Sequence, residues 1–224
     1  MLQTWQSLTF IHWRYDPAVI RPLIPERLTL DTFDDAAWIG LTPFLLTGLR
    51  LPSLPALPWI SCFPETNVRT YVRGPNGDRA IWFFTLEADR LLAVLGARLS
   101  YGLPYRWADM RVNVNGSTVS YQSRRRASLR SAYSAIDVEI GQPIEQSQLE
   151  IFLTSRYRLY SQYGKRLAYA QIEHEPWPLH AAVILRLDQT VVEGSGLPRP
   201  EGEPLAHHSP NLEVRIERLR FQSP

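Results

Sequence analysis

Residues 66–73 read Thr66-Asn67-Val68-Arg69-Thr70-Tyr71-Val72-Arg73. Side chains on such a segment alternate between two faces in the period of a β-strand, with Val68 and Val72 on one face and Asn67, Arg69 and Tyr71 on the other. Gly74-Pro75-Asn76-Gly77 follows with turn residues, and residues 80–86 are rich in strand-forming aromatic and β-branched types. These 21 residues therefore predict an antiparallel hairpin.

Similar strand patterns occur on both sides of this hairpin. They predict an opening strand at 6–13, a hairpin of 28–33 and 37–41 around Asp34-Asp35, and two strands around Asn115-Gly116. Further strands are expected at 130–136, on both sides of Gly164-Lys165 and at 213–221. The chain should thus be dominated by antiparallel strands.

Three short helices interrupt these strands. Asp16 and Pro17 predict a helix start, and a leucine spacing predicts a helix over 89–99 that Gly102 closes. Ser147 and Glu150 form a capping box, and one face of the helix that follows should carry Leu149, Phe152, Leu153, Tyr157 and Tyr160. We therefore predict an α+β, mainly antiparallel β fold in a single domain, 1–224.

Composition excludes several classes of function. The 224 residues carry a net charge of +2 and no apolar run of membrane-spanning length, so neither nucleic acid nor membrane is expected as a partner. The one dense basic cluster, Arg124-Arg125-Arg126 with Arg130, is interpreted as a solvated loop. Cys62 is the only cysteine and is expected to be a small buried side chain. We expect a cytoplasmic protein without a cofactor or metal site.

Candidate site residues come first from the polar face of the strand at 66–73. If this face lines a cavity, Arg69 can hold a carboxylate in a bidentate pair while Asn67 and Tyr71 fix the orientation of the ligand. The alternative is a sheet surface that faces solvent, with Val68 and Val72 supplying the core on the other side. The pattern alone does not choose between the two.

Two histidines are candidate general bases. His12 lies near the end of the first strand, and His174 precedes Pro176-Trp177-Pro178. Either could act near neutral pH if it faced a cavity with a carboxylate such as Glu65 behind it, but a structural role with hydrogen bonds to the backbone is the alternative. No spacing of histidines or cysteines supports a metal site.

A glycine-containing frame stands at residues 98–104, where Arg98-Leu99-Ser100-Tyr101-Gly102-Leu103-Pro104 fits R-x-x-x-G-x-P. This frame resembles the acetoacetate decarboxylase family. Longer segments resemble the YqjF-type family of uncharacterised bacterial proteins within that superfamily. They are 12–17, 63–73, 81–86, 102–105, 155–160 and 174–179, and they span nearly the whole chain.

The resemblance implies a curved antiparallel sheet that closes into a cone or barrel, with helices outside and a ligand cavity within. It also implies ligand-binding roles for Arg98, Arg106 and Glu65. Tyr105-Arg106 stands where the decarboxylases carry two lysines, and neither a phenol nor a guanidinium forms an imine. Lys165, the only lysine, is expected on a surface turn.

Three functions remain open after this comparison, the third being Schiff-base decarboxylation in spite of the substitutions at Tyr105 and Arg106. The first is a cavity protein that binds a small organic acid or apolar metabolite. The second is a lyase, hydratase or isomerase that uses His12, His174 or Tyr105 for acid–base chemistry while Arg69 holds a carboxylate. Whether the protein is an enzyme, and whether it forms a homo-oligomer, stays open.

Overall fold

The computed structural model describes residues 1–53, 55–57, 60–126 and 131–222. The strands are β1 (Leu2–Tyr15), β2 (Thr29–Leu30), β3 (Ala37–Arg50), β4 (Phe63–Arg73), β5 (Arg79–Ala88), β6 (Tyr105–Asn115), β7 (Thr118–Arg125), β8 (Tyr133–Pro143), β9 (Arg158–Tyr163), β10 (Arg166–Glu173), β11 (His180–Gln189), β12 (Leu205–Ile216) and β13 (Arg220–Phe221). The helices are α1 (Pro17–Ile20), α2 (Leu91–Tyr101), α3 (Gln148–Thr154) and α4 (Val191–Gly194).

These thirteen strands form one sheet in the order β13-β10-β9-β5-β6-β7-β8-β11-β12-β1-β3-β4-β2. Neighbours are antiparallel except at β5, which pairs in parallel with β6 and with β9. Additional pairings of β5 with β4 and of β10 with β12 bring the sheet back onto itself as a partial ring. The predicted fold, a curved and mainly antiparallel sheet with a few short helices, is confirmed. Among the described residues, no helix is long and apolar enough to cross a membrane.

β4 and β5 form the predicted hairpin, with Arg73 opposite Arg79. β4 also pairs with β3 along its other edge, so it is an interior strand of the sheet. Both of its faces are buried: Val68 and Val72 are inaccessible to solvent, and Asn67 and Arg69 are only 5% and 4% exposed. The face that carries Asn67, Arg69 and Tyr71 is therefore not a solvent-facing sheet surface.

The predicted helix ends are confirmed at three places. The Ala18 amide donates to the Asp16 carboxylate, and Ser147 and Glu150 form the capping box of α3. Gly102 closes α2 with a φ of 61°, in the left-handed region that glycine adopts without strain.

The helix predicted after the capping box was wrong in extent. α3 ends at Thr154, because the next residues turn so that the buried Arg156 can donate to the Phe152 carbonyl. Tyr157 therefore lies beyond the helix, and Tyr160 is a buried residue of β9 rather than part of an aromatic helix face.

The expected hairpin of residues 28–41 is also corrected. Asp34 and Asp35 do form a tight turn with positive φ, closed by a bridge between Phe33 and Ala36. β2, however, pairs with β4 and not with β3. The pairing of β3 with β4 stops at Thr70, which leaves the end of β4 available to β2.

Three further expectations concern single residues. Arg125 is not in a solvated loop: its side chain is 3% exposed and forms an ion pair with the fully buried Glu87 at 2.7 Å. Arg130 lies outside the described residues. Cys62 is exposed rather than buried, and Lys165 is exposed as expected.

A second buried ion pair joins distant parts of the chain. Arg156 Nη1 donates to Asp31 Oδ2 at 2.6 Å, and the two side chains are 0% and 3% exposed. Arg73 Nε donates to the other carboxylate oxygen at 2.8 Å. The guanidinium of Arg156 also lies over the rings of Tyr71 and Phe152, at 4.7 and 4.4 Å. Asp31 therefore connects the loop after β2 to the end of α3 and to β4.

Candidate functional site

The largest apolar core cluster of the described residues surrounds a pocket of about 400 Å³. Most of its wall is apolar, and the polar part of the wall comes mainly from successive inward positions of β4, namely Glu65, Asn67 and Arg69. Because alternate residues of a strand point to the same side, these three side chains form one polar strip. Tyr105, at the start of β6, adds a phenol to the wall.

Glu65 and Tyr105 are joined in this wall. The Tyr105 hydroxyl donates to Glu65 Oε2 at 2.8 Å, and Glu65 is only 4% exposed. Burial raises the pKa of the Glu65 carboxyl to about 7, although hydrogen bonds from Tyr105 and Asn67 lower it. Burial and the neighbouring carboxylate raise the pKa of the Tyr105 phenol well above its ordinary value. Near neutral pH, Glu65 can therefore either donate or accept a proton, while Tyr105 stays protonated.

Arg69 is a buried cation without a counter-ion. It is 4% exposed, its Nε has no hydrogen-bond partner, and none of the ion pairs in the described part of the chain includes it. Its guanidinium lies over the rings of Phe10 and Tyr71, at 5.1 and 5.8 Å. A charged group that is buried without a partner is costly, so this position favours a bound anion.

The neighbouring histidine does not compensate Arg69. Gly40 separates the two side chains: a Cβ at this position would lie 3.0 Å from His12 Nε2 and 3.5 Å from Arg69 Cγ. Burial, and after it the charge of Arg69, holds the pKa of His12 well below its ordinary value. His12 is thus a neutral ring beside the cation.

One wall of the pocket is a helix with small side chains. Ala93, Gly96, Ala97 and Ser100 of α2 line the pocket at helical spacing. A Cβ on Gly96 would have no atom within 4 Å. The leucines of the helix are largely exposed, Leu99 by 82%, although Leu92 also lines the pocket. The small side chains of α2 therefore leave room inside the pocket.

The structure does not bring the other predicted site residues into this wall. His12 Nε2 and the Tyr71 hydroxyl form a hydrogen bond of 2.6 Å. Both residues are fully buried, and neither lines the pocket. His174 is hydrogen-bonded to the Glu175 carbonyl beside a surface groove. Arg98 and Arg106 are exposed, and Arg98 donates to the Tyr105 carbonyl at 2.7 Å.

The contribution of β1 to the pocket was not foreseen. Trp5 and Gln3 of β1 line the pocket, and Trp5 Nε1 is a buried donor without a partner. The register of β1 could have suggested them only if the pairing of β1 with β3 were already known, because the segment contains no motif. Among the described residues, no cluster of three or more His, Cys, Asp or Glu side chains could hold a metal ion.

The raised pKa of Glu65 predicts a pH-dependent stability. A carboxyl whose pKa rises from 4.5 to about 7 on folding destabilises the folded state as the pH increases through this interval. Glu65→Gln should therefore be more stable than the wild type at pH 8, by up to about 3 kcal/mol, and nearly equal to it at pH 4.5. Urea unfolding of both proteins between pH 4.5 and 8 measures this; a difference that does not vary with pH would show that Glu65 does not titrate in this way.

The sequence matches a family model and a relative that are both described as uncharacterized. The model of the family DUF2071, "uncharacterized conserved protein", matches residues 2–213. The "uncharacterized protein YqjF" of Bacillus subtilis (strain 168) is 42% identical over 222 residues, which cover 98% of this chain and 91% of that protein.

Solved structures with the same fold have much lower identity. The enduracididine biosynthesis enzyme MppR, in complex with pyruvate, has a TM-score of 0.69 at 14% identity, covering 99% of this chain and 90% of that one. An acetoacetate decarboxylase-like enzyme from Sphingomonas wittichii RW1 has a TM-score of 0.68 at 12% identity, covering 99% of this chain and 93% of that one. Acetoacetate decarboxylase from Legionella pneumophila has a TM-score of 0.64 at 11% identity, covering 99% of this chain and 87% of that one. These similarities establish an acetoacetate decarboxylase-like fold.

Proposed function

The chain belongs to the DUF2071 family of uncharacterized conserved proteins, and from its fold and its pocket we propose that it binds a small organic acid or apolar metabolite without forming a covalent bond. The observation that carries the proposal is the buried, unpaired guanidinium of Arg69 in the wall of an apolar pocket. Ligand pockets typically combine such a largely apolar wall with a few convergent polar groups. A carboxylate would neutralise Arg69, and the rest of the ligand would contact the apolar wall.

The pocket has the chemistry of a binding site rather than of an imine-forming enzyme. Its wall holds no lysine, since the only lysine, Lys165, is an exposed residue of the turn between β9 and β10. Tyr105 lines the pocket and stands at the sequence position where the decarboxylases that this chain resembles carry a lysine. Its hydroxyl donates a hydrogen bond to Glu65. MppR, which has the same fold, is described in complex with pyruvate, and this supports an organic acid as the ligand class.

Thermal-shift screening of the full chain with keto acids, aromatic acids and fatty acids tests the proposal. We expect carboxylic acids to raise the melting temperature and matched primary amides to have no effect, because only the acids neutralise Arg69. Gly96→Leu, which should abolish the shift, tests the place of binding, because Gly96 lines the pocket, an added Cβ there would meet no atom within 4 Å, and leucine favours the helix. Retention of the acid-induced shift in Gly96→Leu, or no shift with any acid, would count against binding in this pocket.

One observation favours a second function, an acid–base enzyme. Glu65, with a pKa of about 7, lies in the same wall as Arg69 and accepts a hydrogen bond from Tyr105, so it could remove a proton from a bound acid. His12 and His174 are outside the pocket lining, so Glu65 takes the place of the predicted histidine base. NMR in D₂O measures the exchange of C–H protons of a bound acid, and exchange that Glu65→Gln abolishes would support this function. An acid that binds without exchange would contradict the enzyme and would be consistent only with the binding function.

A further inference from the structure

Two separate parts of the pocket lining each hold a buried polar atom without a partner. In the sheet, Gly40 lies opposite both His12 and Arg69, whereas Leu46 lies opposite both Trp5 and Phe63. Trp5 is therefore level with the start of β4, six residues before Arg69, and at a rise of roughly 3.3 Å per residue the two backbone levels are about 20 Å apart. Both side chains nevertheless line the one pocket. The unpartnered Nε1 of Trp5 and the unpartnered Nε of Arg69 thus belong to two separate parts of the lining, which we call the Trp5 end and the Arg69 end, although Gln3 lines the pocket beyond Trp5 and Ile81 beyond Arg69.

Glu65 lies at the same end as Trp5. Phe44 is directly opposite Glu65 across β3 and β4, and the rings of Phe44 and Trp5 are 5.5 Å apart. This end of the pocket therefore offers an N–H donor from the indole and a carboxyl group from Glu65. Asn67 lies between the two ends, and its Oδ1 is a further buried acceptor without a partner.

We propose that the natural ligand is a hydroxylated monocarboxylic acid that spans the pocket, with its carboxylate on Arg69, an apolar body, and a hydroxyl between Trp5 and Glu65. This inference rests on the proposed function, because it assigns both ends of the same ligand. A hydroxyl accepts one hydrogen bond and donates another, so it satisfies the Trp5 N–H and the Glu65 carboxylate together. Leaving the buried Trp5 N–H unpaired would cost free energy, whereas Glu65, which already accepts from Tyr105, can accept from a second donor.

Other groups fit the Trp5 end less well. A second carboxylate would be repelled by the ionised form of Glu65, while an ammonium group offers no acceptor to the indole N–H. A three-carbon keto acid on Arg69 would be too short to contact Trp5. Apolar side chains line the pocket around these groups, with Leu86 opposite Asn67 and Phe83 opposite Arg69, and they favour an alkyl or aryl body.

Calorimetric titration with matched pairs of acids tests the proposal. The probes are 4-hydroxybenzoate, 3-(4-hydroxyphenyl)propionate and 6-(4-hydroxyphenyl)hexanoate, each compared with the same acid lacking its hydroxyl. We expect one length to bind best, with the hydroxyl tightening Kd by about three- to tenfold in the wild type. Trp5→Phe, which keeps an aromatic ring beside Phe44, should remove this advantage, while Arg69→Met should weaken both members of each pair.

The outcomes separate this inference from the proposed function. If acids bind in an Arg69-dependent way but the hydroxyl gives no advantage at any length, or the advantage persists in Trp5→Phe, then the inference is overturned and the proposed function stands. If none of the six acids binds, both are overturned for acids of this class. Unfolding temperatures of the two variants, measured without ligand, verify that each protein is folded.

Discussion

Asp31→Ala is expected to lower the free energy of unfolding by about 3–5 kcal/mol, the range for breaking a buried ion pair from one side. The carboxylate of Asp31 is the partner of Arg156, whose side chain is completely buried and whose guanidinium lies over the rings of Tyr71 and Phe152. Alanine would leave this guanidinium without a counter-ion, although its Nε would still donate to the Phe152 carbonyl. Urea denaturation at neutral pH measures the difference.

Arg79→Ala is the matched control for this prediction. Arg79 also approaches Asp31, but at 3.7 Å and with half of its side chain in solvent. An exposed pair of this kind contributes at most about 1 kcal/mol. If Asp31→Ala cost no more than Arg79→Ala, the charge of Arg156 would have to be compensated by water or by another group, and the buried pair would not stabilise the junction of β2, β4 and α3.

The parts of the fold that sequence predicted well are those fixed by neighbouring residues. The β4–β5 hairpin follows from the turn at 74–77, and the starts of α1 and α3 follow from caps within three residues of the helix. The resemblance to the YqjF-type family, carried by short segments along the chain, is confirmed by the match over residues 2–213 and supplies the curved sheet. Local patterns alone do not contain the β5–β4 and β10–β12 pairings that turn the sheet into a partial ring.

Buried charge was the least predictable feature. Asp31 and Arg156 are 125 residues apart in sequence, and Glu87 and Arg125 are 38 apart, so no local pattern links the partners. Each arginine is accommodated only because a strand or loop from elsewhere delivers a carboxylate. An arginine-rich segment such as 124–126 therefore looks solvated in the sequence although its middle residue is buried.

The candidate site divides in the same way. Glu65, Asn67 and Arg69 could be grouped in advance, because a period of two places them on one face of one strand. Tyr105 joins them through the parallel pairing of β5 with β6, which no local pattern predicts. In the sequence, only the resemblance carried by the R-x-x-x-G-x-P frame indicated Tyr105 as a site residue. His12 shares a row with Arg69, but Gly40 lets it pack beside that side chain and bond to Tyr71 outside the pocket lining.

Arg69→Met is expected to have opposite effects on ligand affinity and on stability. Loss of the guanidinium should weaken the binding of carboxylic acids by about 2–4 kcal/mol, or roughly 30- to 1,000-fold in Kd, because a buried carboxylate would lose its partner. Without ligand, the variant should be about 1–3 kcal/mol more stable than the wild type, because methionine fills similar space and removes an uncompensated buried cation. Calorimetric titration and urea denaturation measure the two quantities.

This opposition of signs distinguishes a binding residue from a structural one. If Arg69 served mainly to support the rings of Phe10 and Tyr71, Arg69→Met would lower stability, and any loss of affinity would follow from damage to the pocket. Arg111→Met, on the exposed side of β6, controls for the general effect of removing one positive charge. A stable Arg69→Met protein that no longer binds acids, beside an Arg111→Met protein that still does, would mean that the fold tolerates a costly buried charge for the sake of its ligand.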